Sequence, residues 1–367
     1  MRTFAPFVVA CAVIGCSSDV DPGIVAKPVV AELVWTLQSD SFPDPLVNVA
    51  GVASISNTTA VVADRDRVHL IDSRSGRHLR SAGRAGNGPG EFRRVSWIQR
   101  VASGVVVFDE VHGRLTFLDD TLGLDSIRSP YDVDGEPRCV TGDGALVTTR
   151  SSNPSEARFT MEPGLYQPRL RLGVLTDTMW SDLDEVTSDA RWIVVETSGY
   201  RRNVFIIAVP FAPRFVVRCG PDPVVWADSS AARLRMHQDG RTVDVELDGL
   251  VARAVSAADY GAVADSADAT GIDGLRGWIV QASEAVPMQS IPAFRDLLIA
   301  PDGHVWALHY LLTDDRAKLW TRYTTAGERL ETVQLPNEVE VVAVAPNMLL
   351  GWARDSLGVP QVRAYAY

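Results

Sequence analysis

The sequence has no run rich in lysine or arginine, and after its first sixteen residues no apolar stretch reaches eighteen residues. Its 35 basic residues are outnumbered by 46 acidic ones, which gives a net charge of -11. An acidic chain without a basic patch argues against a nucleic-acid partner. Because a membrane-spanning helix needs a longer apolar stretch, we expect the mature chain to be soluble.

The motifs of several enzyme classes are also missing. The chain has no H-E-x-x-H or Cys-His spacing for zinc, no G-x-S-x-G or S-x-x-K run for a nucleophile, and no D-x-D-x-D-G loop for calcium. The glycine-rich segment 83–92 is not followed by the Lys-Ser/Thr pair of a phosphate-binding loop. These absences favour a protein that is not an enzyme and has no cofactor. They do not decide the question, and an enzymatic role remains open.

Residues 1–15 have the composition of an export signal. A short basic start is followed by twelve residues that are almost all apolar or small, and then by Cys16. This apolar core is too short to span a membrane. The ending Val13-Ile14-Gly15-Cys16 resembles the bacterial lipoprotein signal, which implies that Cys16 becomes an acylated N-terminus. The alternative is ordinary signal cleavage beside a coincidental cysteine.

Export would place the remainder of the chain outside the cytoplasm. We predict a short tether over residues 16–30 and one domain over residues 31–367. Ser17 and Ser18, rather than an aspartate, follow the cysteine, which by resemblance to the enterobacterial sorting rule implies the outer membrane.

Two cysteines remain in the exported part of the chain, Cys139 and Cys219. An even number in an oxidising compartment is typical of a disulfide. Each cysteine follows an arginine and precedes a turn containing glycine and aspartate, at equivalent places in neighbouring repeat units. A disulfide between the two units and a pair of buried free thiols both remain open.

A repeat runs through the chain, and each copy has a short apolar strand, a polar turn and an alternating strand. The copies begin near residues 61, 105, 145, 224, 305 and 348, at spacings of 44, 40, 79, 81 and 43 residues. Spacings of 40 to 45 residues are typical of one propeller blade. We interpret the two long gaps as single units with insertions, one polar over Ser151–Pro163 and one alanine-rich and helical near 254–285.

The pattern predicts an all-β fold, a six-bladed β-propeller with a short helical insertion, although seven or eight blades remain open. The last unit ends at Tyr367 after three strands. The alternating segment 31–37 belongs to no other unit. We therefore predict that it supplies the fourth strand and closes the ring as a three-plus-one blade, without an exposed edge.

The glycine-rich loop after the first unit ends in Gly88-Pro89-Gly90-Glu91-Phe92. Its G-x-G-P-G-E-F run, in an exported chain with these repeats, resembles the bacterial six-bladed β-propeller lipoproteins related to NHL and TolB-like propellers. The resemblance covers roughly residues 31–367. It implies a fold and an envelope location without a settled activity.

Two sets of side chains are candidates for a site. The residues flanking the glycine-rich loop form a basic and aromatic cluster for a carboxylate or a glycan, or pair with surface carboxylates: Arg84, Glu91, Arg93, Arg94 and Trp97. The aspartates that end the second strands form a ring for Ca²⁺ or another divalent ion, or initiate turns: Asp64, Asp109 and Asp228.

We therefore predict a monomeric lipoprotein, anchored to the membrane through an N-terminal lipid, whose propeller binds an envelope protein, a peptide or a glycan. The alternative is a metal-dependent enzyme of the lactonase or lyase kind, with its site in the central channel.

Overall fold

The structure is a computed structural model that describes residues 27–129, 135–152, 162–176, 179–198, 201–268, 270–312 and 315–367. The predicted signal, Cys16 and most of the polar segment Ser151–Pro163 lie outside these residues. No helix within the described ranges is both long and apolar enough to cross a membrane.

The fold is all-β and propeller-like, and six large antiparallel sheets follow one another along the chain. The chain up to Thr187 contains β1 (Val29–Val30), β2 (Glu32–Leu37), a 3₁₀ turn (Ser39–Ser41), β3 (Gly51–Ser54), β4 (Thr59–Asp64), β5 (Arg67–Asp72), β6 (His78–Ala82), β7 (Val95–Val101), β8 (Gly104–Asp109), β9 (Arg114–Asp119), β10 (Leu124–Arg128), β11 (Glu136–Val140), β12 (Leu146–Ser151), β13 (Gly164–Tyr166), β14 (Arg169–Leu175) and β15 (Trp180–Thr187).

The remainder of the chain contains β16 (Arg191–Ser198), β17 (Arg201–Ala208), β18 (Phe215–Cys219), β19 (Val224–Asp228), β20 (Arg233–Gln238), β21 (Arg241–Glu246), β22 (Arg253–Ala254), α1 (Ala257–Asp268), α2 (Leu275–Ala285), β23 (Ser290–Ile291), β24 (Phe294–Ile299), β25 (Val305–His309), β26 (Ala317–Tyr323), β27 (Arg329–Pro336), β28 (Glu340–Ala345), β29 (Met348–Arg354) and β30 (Pro360–Ala366). The six sheets are β3–β6, β7–β10, β11-β12-β14-β15, β18–β21, β24–β27 and β28–β30, called here the first to the sixth.

In the second sheet, burial is greatest in the second strand and least in the outer strand. In the second sheet every residue of β8 is buried, whereas the outer strand β10 is mostly exposed. A strand covered on both faces needs a continuous apolar run, which explains the valine-rich second strands that carry the repeat. Six buried apolar clusters lie between successive sheets, and one of them joins the sixth sheet to the first.

The N-terminal segment crosses the outer edges of two sheets. Its strand β2 pairs antiparallel with β30 and makes the sixth sheet four-stranded. The end of the predicted tether is not free chain, since Val29–Val30 forms β1 and pairs parallel with β27 of the fifth sheet.

Both long gaps contain insertions. The predicted helical insertion is confirmed by α1 and α2, which lie between the fourth and fifth sheets in the chain. In the other gap, β16 and β17 form a hairpin and β13 adds a third strand. The sequence analysis assigned no strands there, although β16 and β17 are rich in β-branched and aromatic residues.

A cluster of two histidines and a serine in the first sheet is expected to make the free energy of unfolding depend on pH. His69 is fully buried, its Nδ1 lies 2.8 Å from Ser81 Oγ, and His78 Nε2 lies 2.9 Å from the same oxygen. Burial first, and the neighbouring His78 second, lower the pKa of His69 to about 4.

Because the pKa of His69 is lower in the folded chain, the unfolded chain takes up its proton first as the pH falls below about 6.5. We expect His69 to lower the free energy of unfolding by about 3 kcal/mol between pH 7 and pH 4. Urea unfolding at the two pH values measures this loss. The His69→Gln variant removes the titrating ring, so its loss over the same interval should be smaller by about that amount. If the free energy of unfolding fell equally in the wild type and the variant, His69 would not be the source of the pH dependence.

Candidate functional site

The inner strands of all six large sheets line one central cavity of about 950 Å³. They are β3, β7, β11, β18, β24 and β28. A volume of this size accommodates a small organic ligand or part of a larger one.

Aromatic side chains form part of the cavity wall. Trp97 of β7 stacks on Phe108 of β8 with ring centroids 5.4 Å apart, and both rings line the cavity. Phe215, the first residue of β18, lines it as well. Of the residues predicted near the glycine-rich loop, Trp97 is thus the one that contributes to the cavity.

The predicted basic residues of the loop are held by neighbouring groups. Arg84 forms an ion pair with Glu91 at 2.6 Å, and Arg93 Nε donates to the Asn87 side chain at 2.9 Å. Arg94 pairs with Glu110. Arg84 and Arg94 therefore pair with carboxylates, whereas Arg93 contacts an amide oxygen.

Glu91 and Phe92 fix the loop between the first and second sheets. The backbone N–H of Gly88 donates to Glu91 Oε2 at 2.8 Å, and this bond, followed by the one from Arg84, lowers the pKa of Glu91. Phe92 is fully buried in the apolar cluster between the two sheets. The loop therefore connects and seals two sheets.

Two of the predicted aspartates hold the connections that lead into inner strands. The Asp64 carboxylate accepts the backbone N–H groups of Val47 and Asn48 at 3.0 and 2.6 Å. Asp109 is fully buried and accepts those of Arg93 and Arg94 at 2.7 and 3.3 Å.

Burial would raise the pKa of Asp109, but the N–H groups of Arg93 and His112 outweigh it and hold this pKa below its usual value.

Asp228 is exposed and accepts the N–H of Ser230 in its own turn at 2.8 Å. The equivalent connection before β18 is held by Ser229, whose hydroxyl accepts the Arg214 N–H at 2.8 Å. The three aspartates thus lie at strand ends in three separate sheets. Within the described part of the chain, no three His, Cys, Asp or Glu side chains are grouped so that they could hold a metal ion.

Covalent and ionic links join neighbouring inner strands in the cavity wall. Cys139 of β11 and Cys219 of β18 form a disulfide with Cα atoms 5.8 Å apart. Arg218 reaches from β18 to β24, where its Nε donates to the Leu297 carbonyl at 2.8 Å and its guanidinium pairs with Asp296. Three successive sheets are thereby linked through side chains.

A second pocket, of about 450 Å³, was missed by the sequence analysis. It lies where the insertions meet the fourth and fifth sheets. Its polar residues are distant in sequence and form no motif that single-sequence analysis detects: Asp189, Arg191, Arg214, Ser266, Arg295 and Tyr310.

The sheets and the central cavity define an all-β, propeller-like protein. A similar solved structure is that of a protein from Bacteroides fragilis assigned as exported, with a TM-score of 0.50 and 11% identity over 92% of this chain and 95% of that chain. A member of the DUF4221 family from Bacteroides vulgatus matches with a TM-score of 0.42 and 8% identity over 93% of this chain and 96% of that chain. At 11% identity, the first similarity shows the fold alone. No family model matches the chain, and no curated protein matches it.

Proposed function

We propose that the protein is a lipoprotein of the bacterial cell envelope whose six large sheets form a closed six-bladed β-propeller that binds an envelope protein, a peptide or a glycan. The observation that carries this proposal is the central cavity, to which every one of the six inner strands contributes.

Contacts around the cavity support six blades and closure. The inner strands contact one another in the order β3, β7, β11, β18, β24 and β28, and β28 contacts β3. The pairing of β2 with β30 supplies the outer strand of the sixth sheet from the N-terminus. A blade that combines both ends of the chain ties the ring without leaving an open edge.

The envelope location rests on two independent observations. The first is the apolar segment ending in Cys16, with its resemblance to a lipoprotein signal. The second is the similarity in fold to a Bacteroides fragilis protein that is assigned as exported. Acylation at Cys16 would anchor the propeller firmly, because each buried methylene of the acyl chains contributes about 0.8 kcal/mol. The G-x-G-P-G-E-F loop supports a relationship to NHL and TolB-like propellers.

The cavity wall is suited to a ligand with both apolar and polar groups. Trp97 and Phe108 offer a stacked aromatic surface, on which a sugar ring or an apolar side chain packs. Arg100 of β7 also lines the cavity; its side chain is exposed and makes no hydrogen bond or ion pair with the described residues. It can donate to a carboxylate or a hydroxyl group of the ligand.

Site-specific photocrosslinking in cells tests the binding role. We expect p-benzoylphenylalanine at position 97 of the full chain to give a discrete light-dependent adduct, because this side chain lines the cavity. The matched control places the same group at position 124, an exposed leucine on the outer strand of the same sheet. Mass spectrometry then distinguishes a protein, a peptide and a glycan. No adduct at position 97, or the same adduct from both positions, would contradict the proposal.

A further inference from the structure

The second pocket lies at the junction of four parts of the chain. Its walls come from the insertion hairpin β16–β17, the helices α1 and α2, the connection 209–214 that leads into β18, and the fifth sheet. Its volume of about 450 Å³ is within the usual range for small-molecule sites. It is separate from the central cavity, with which it shares no lining residue.

Positive charge predominates around this pocket, although the whole chain is acidic. Three arginines and one aspartate line it. The Asp189 carboxylate lies 3.7 Å from the Arg191 guanidinium and 3.8 Å from that of Arg214. It also accepts the backbone N–H of Phe215 at 2.8 Å, so it is fixed in place. One carboxylate cannot neutralise three guanidinium groups.

Arg295 is the guanidinium without a counter-charge. It is the second residue of β24, the inner strand of the fifth sheet. Its side chain is exposed and makes no hydrogen bond or ion pair with the residues that the structure describes. An arginine presents several N–H donors in a plane that matches a carboxylate. A carboxylate entering the pocket would therefore meet a donor that none of the described residues occupies.

Tyr310 adds a neutral donor at the same place. Its side chain is partly buried and lines the same pocket as Arg295 and Arg214. Burial raises the pKa of Tyr310, although Arg295 and Arg214 oppose this rise, so the hydroxyl stays protonated at neutral pH.

The connection 209–214 is held in a strained conformation. Phe211 has φ +58°, a left-handed value that is rare for a bulky residue, and its side chain is buried. Its ring packs against Tyr260 of α1 and Tyr310, at centroid distances of 5.1 and 6.0 Å. Such strain persists only where surrounding contacts enforce it, and it is frequent at binding sites. The same contacts fix the insertion to the fifth sheet and keep the pocket walls in position.

The rest of the wall is small and apolar, with Ala190, Ala208, Val209, Ala212, Val263 and Ile279. From the combination of excess guanidinium charge, a neutral hydroxyl donor and apolar walls, we propose that this pocket binds a small organic carboxylate with an apolar body. Arg295 and Arg214 would hold the carboxylate, and the alanine and valine side chains would contact the body. This site goes beyond the binding role of the central cavity and does not depend on it.

Isothermal titration of the full chain with three acids, hexanoate, benzoate and phenylacetate, tests the proposal. We expect at least one acid to bind saturably at one equivalent, and its uncharged amide to bind at least about tenfold more weakly, because a hydrogen bond to a charged group is lost. Binding of none of the acids, equal binding of acid and amide, or displacement of the acid by inorganic phosphate at equal concentration would overturn it.

Arginine variants locate the site. Arg295→Gln should weaken binding of the acid by about 10- to 100-fold. Because Arg295 is exposed and unpaired among the described residues, this variant should unfold at the wild-type temperature. The matched control is Arg241→Gln, an exposed arginine at the start of β21 that does not line the pocket. Equal affinities of the Arg295→Gln and Arg241→Gln variants would also overturn the proposal.

Discussion

Replacing both Cys139 and Cys219 with alanine is expected to lower the free energy of unfolding by about 4 kcal/mol. The disulfide closes a loop with a sequence separation of 80 residues, and a crosslink over so long a loop strongly restricts the unfolded chain. It also joins β11 to β18 in the cavity wall, between the third and fourth sheets. Urea unfolding of the oxidised wild type and of the double variant measures the difference.

Reduction supplies the control for this prediction. In excess reductant, the wild type should lose most of its advantage over the double variant, because both chains then lack the crosslink. A thiol count on the unfolded, non-reduced chain with Cys11 and Cys16 replaced by serine should find no free thiol. Two free thiols, or equal stability of the oxidised proteins, would contradict the disulfide.

The repeat could be predicted because its signal is local. The second strand of each sheet is largely buried, so it appears in the sequence as a short apolar run. The predicted starts at 61, 105, 224, 305 and 348 lie within these strands, and 145 immediately precedes one. The positions of Asp64, Asp109 and Asp228 at strand ends followed from the same alignment of repeats.

The roles of those aspartates could not be predicted from their spacing. Repetition at a strand end fits a turn, a metal site and a loop anchor equally well. Asp109 is identified as a loop anchor by its partners. It accepts the backbone N–H groups of Arg94 and Arg93, which lie 15 and 16 residues earlier in the chain. Such a partner is set by how one sheet connects to the next, which a single sequence does not specify.

The arginine-lined pocket was missed for a related reason. Arg191, Arg214 and Arg295 lie in three separate segments, and each looks like an ordinary surface charge in its own surroundings. They meet because the insertions lie beside the connection 209–214 and the fifth sheet. The hairpin β16–β17 was not predicted either, because the long spacing between repeat units indicated only an insertion in this region. Insertions in a repeat protein therefore merit their own strand assignment, because they frequently carry the binding residues.

The glycine-rich loop makes the second large prediction, since its aromatic end is part of the core. Replacing Phe92 with alanine is expected to lower the free energy of unfolding by about 4 kcal/mol, because a fully buried ring is removed from the cluster between the first and second sheets. The backbone around it is adapted to this ring. Gly83 has φ +84°, and a Cβ at this position would come within 2.6 Å of the Phe92 ring.

Urea unfolding of Phe92→Ala beside Arg84→Ala separates packing from the polar contacts of the same loop. The Arg84 side chain is 77% exposed, so its ion pair with Glu91 should contribute little to the free energy of unfolding. Phe92→Leu, which keeps most of the apolar volume, should lie between the two. If Phe92→Ala were no more destabilising than Arg84→Ala, the loop would be a surface feature. A large difference would mean that the main structural role of the G-x-G-P-G-E-F run is to place the Phe92 ring between two sheets. The flanking arginines would then contribute less to stability.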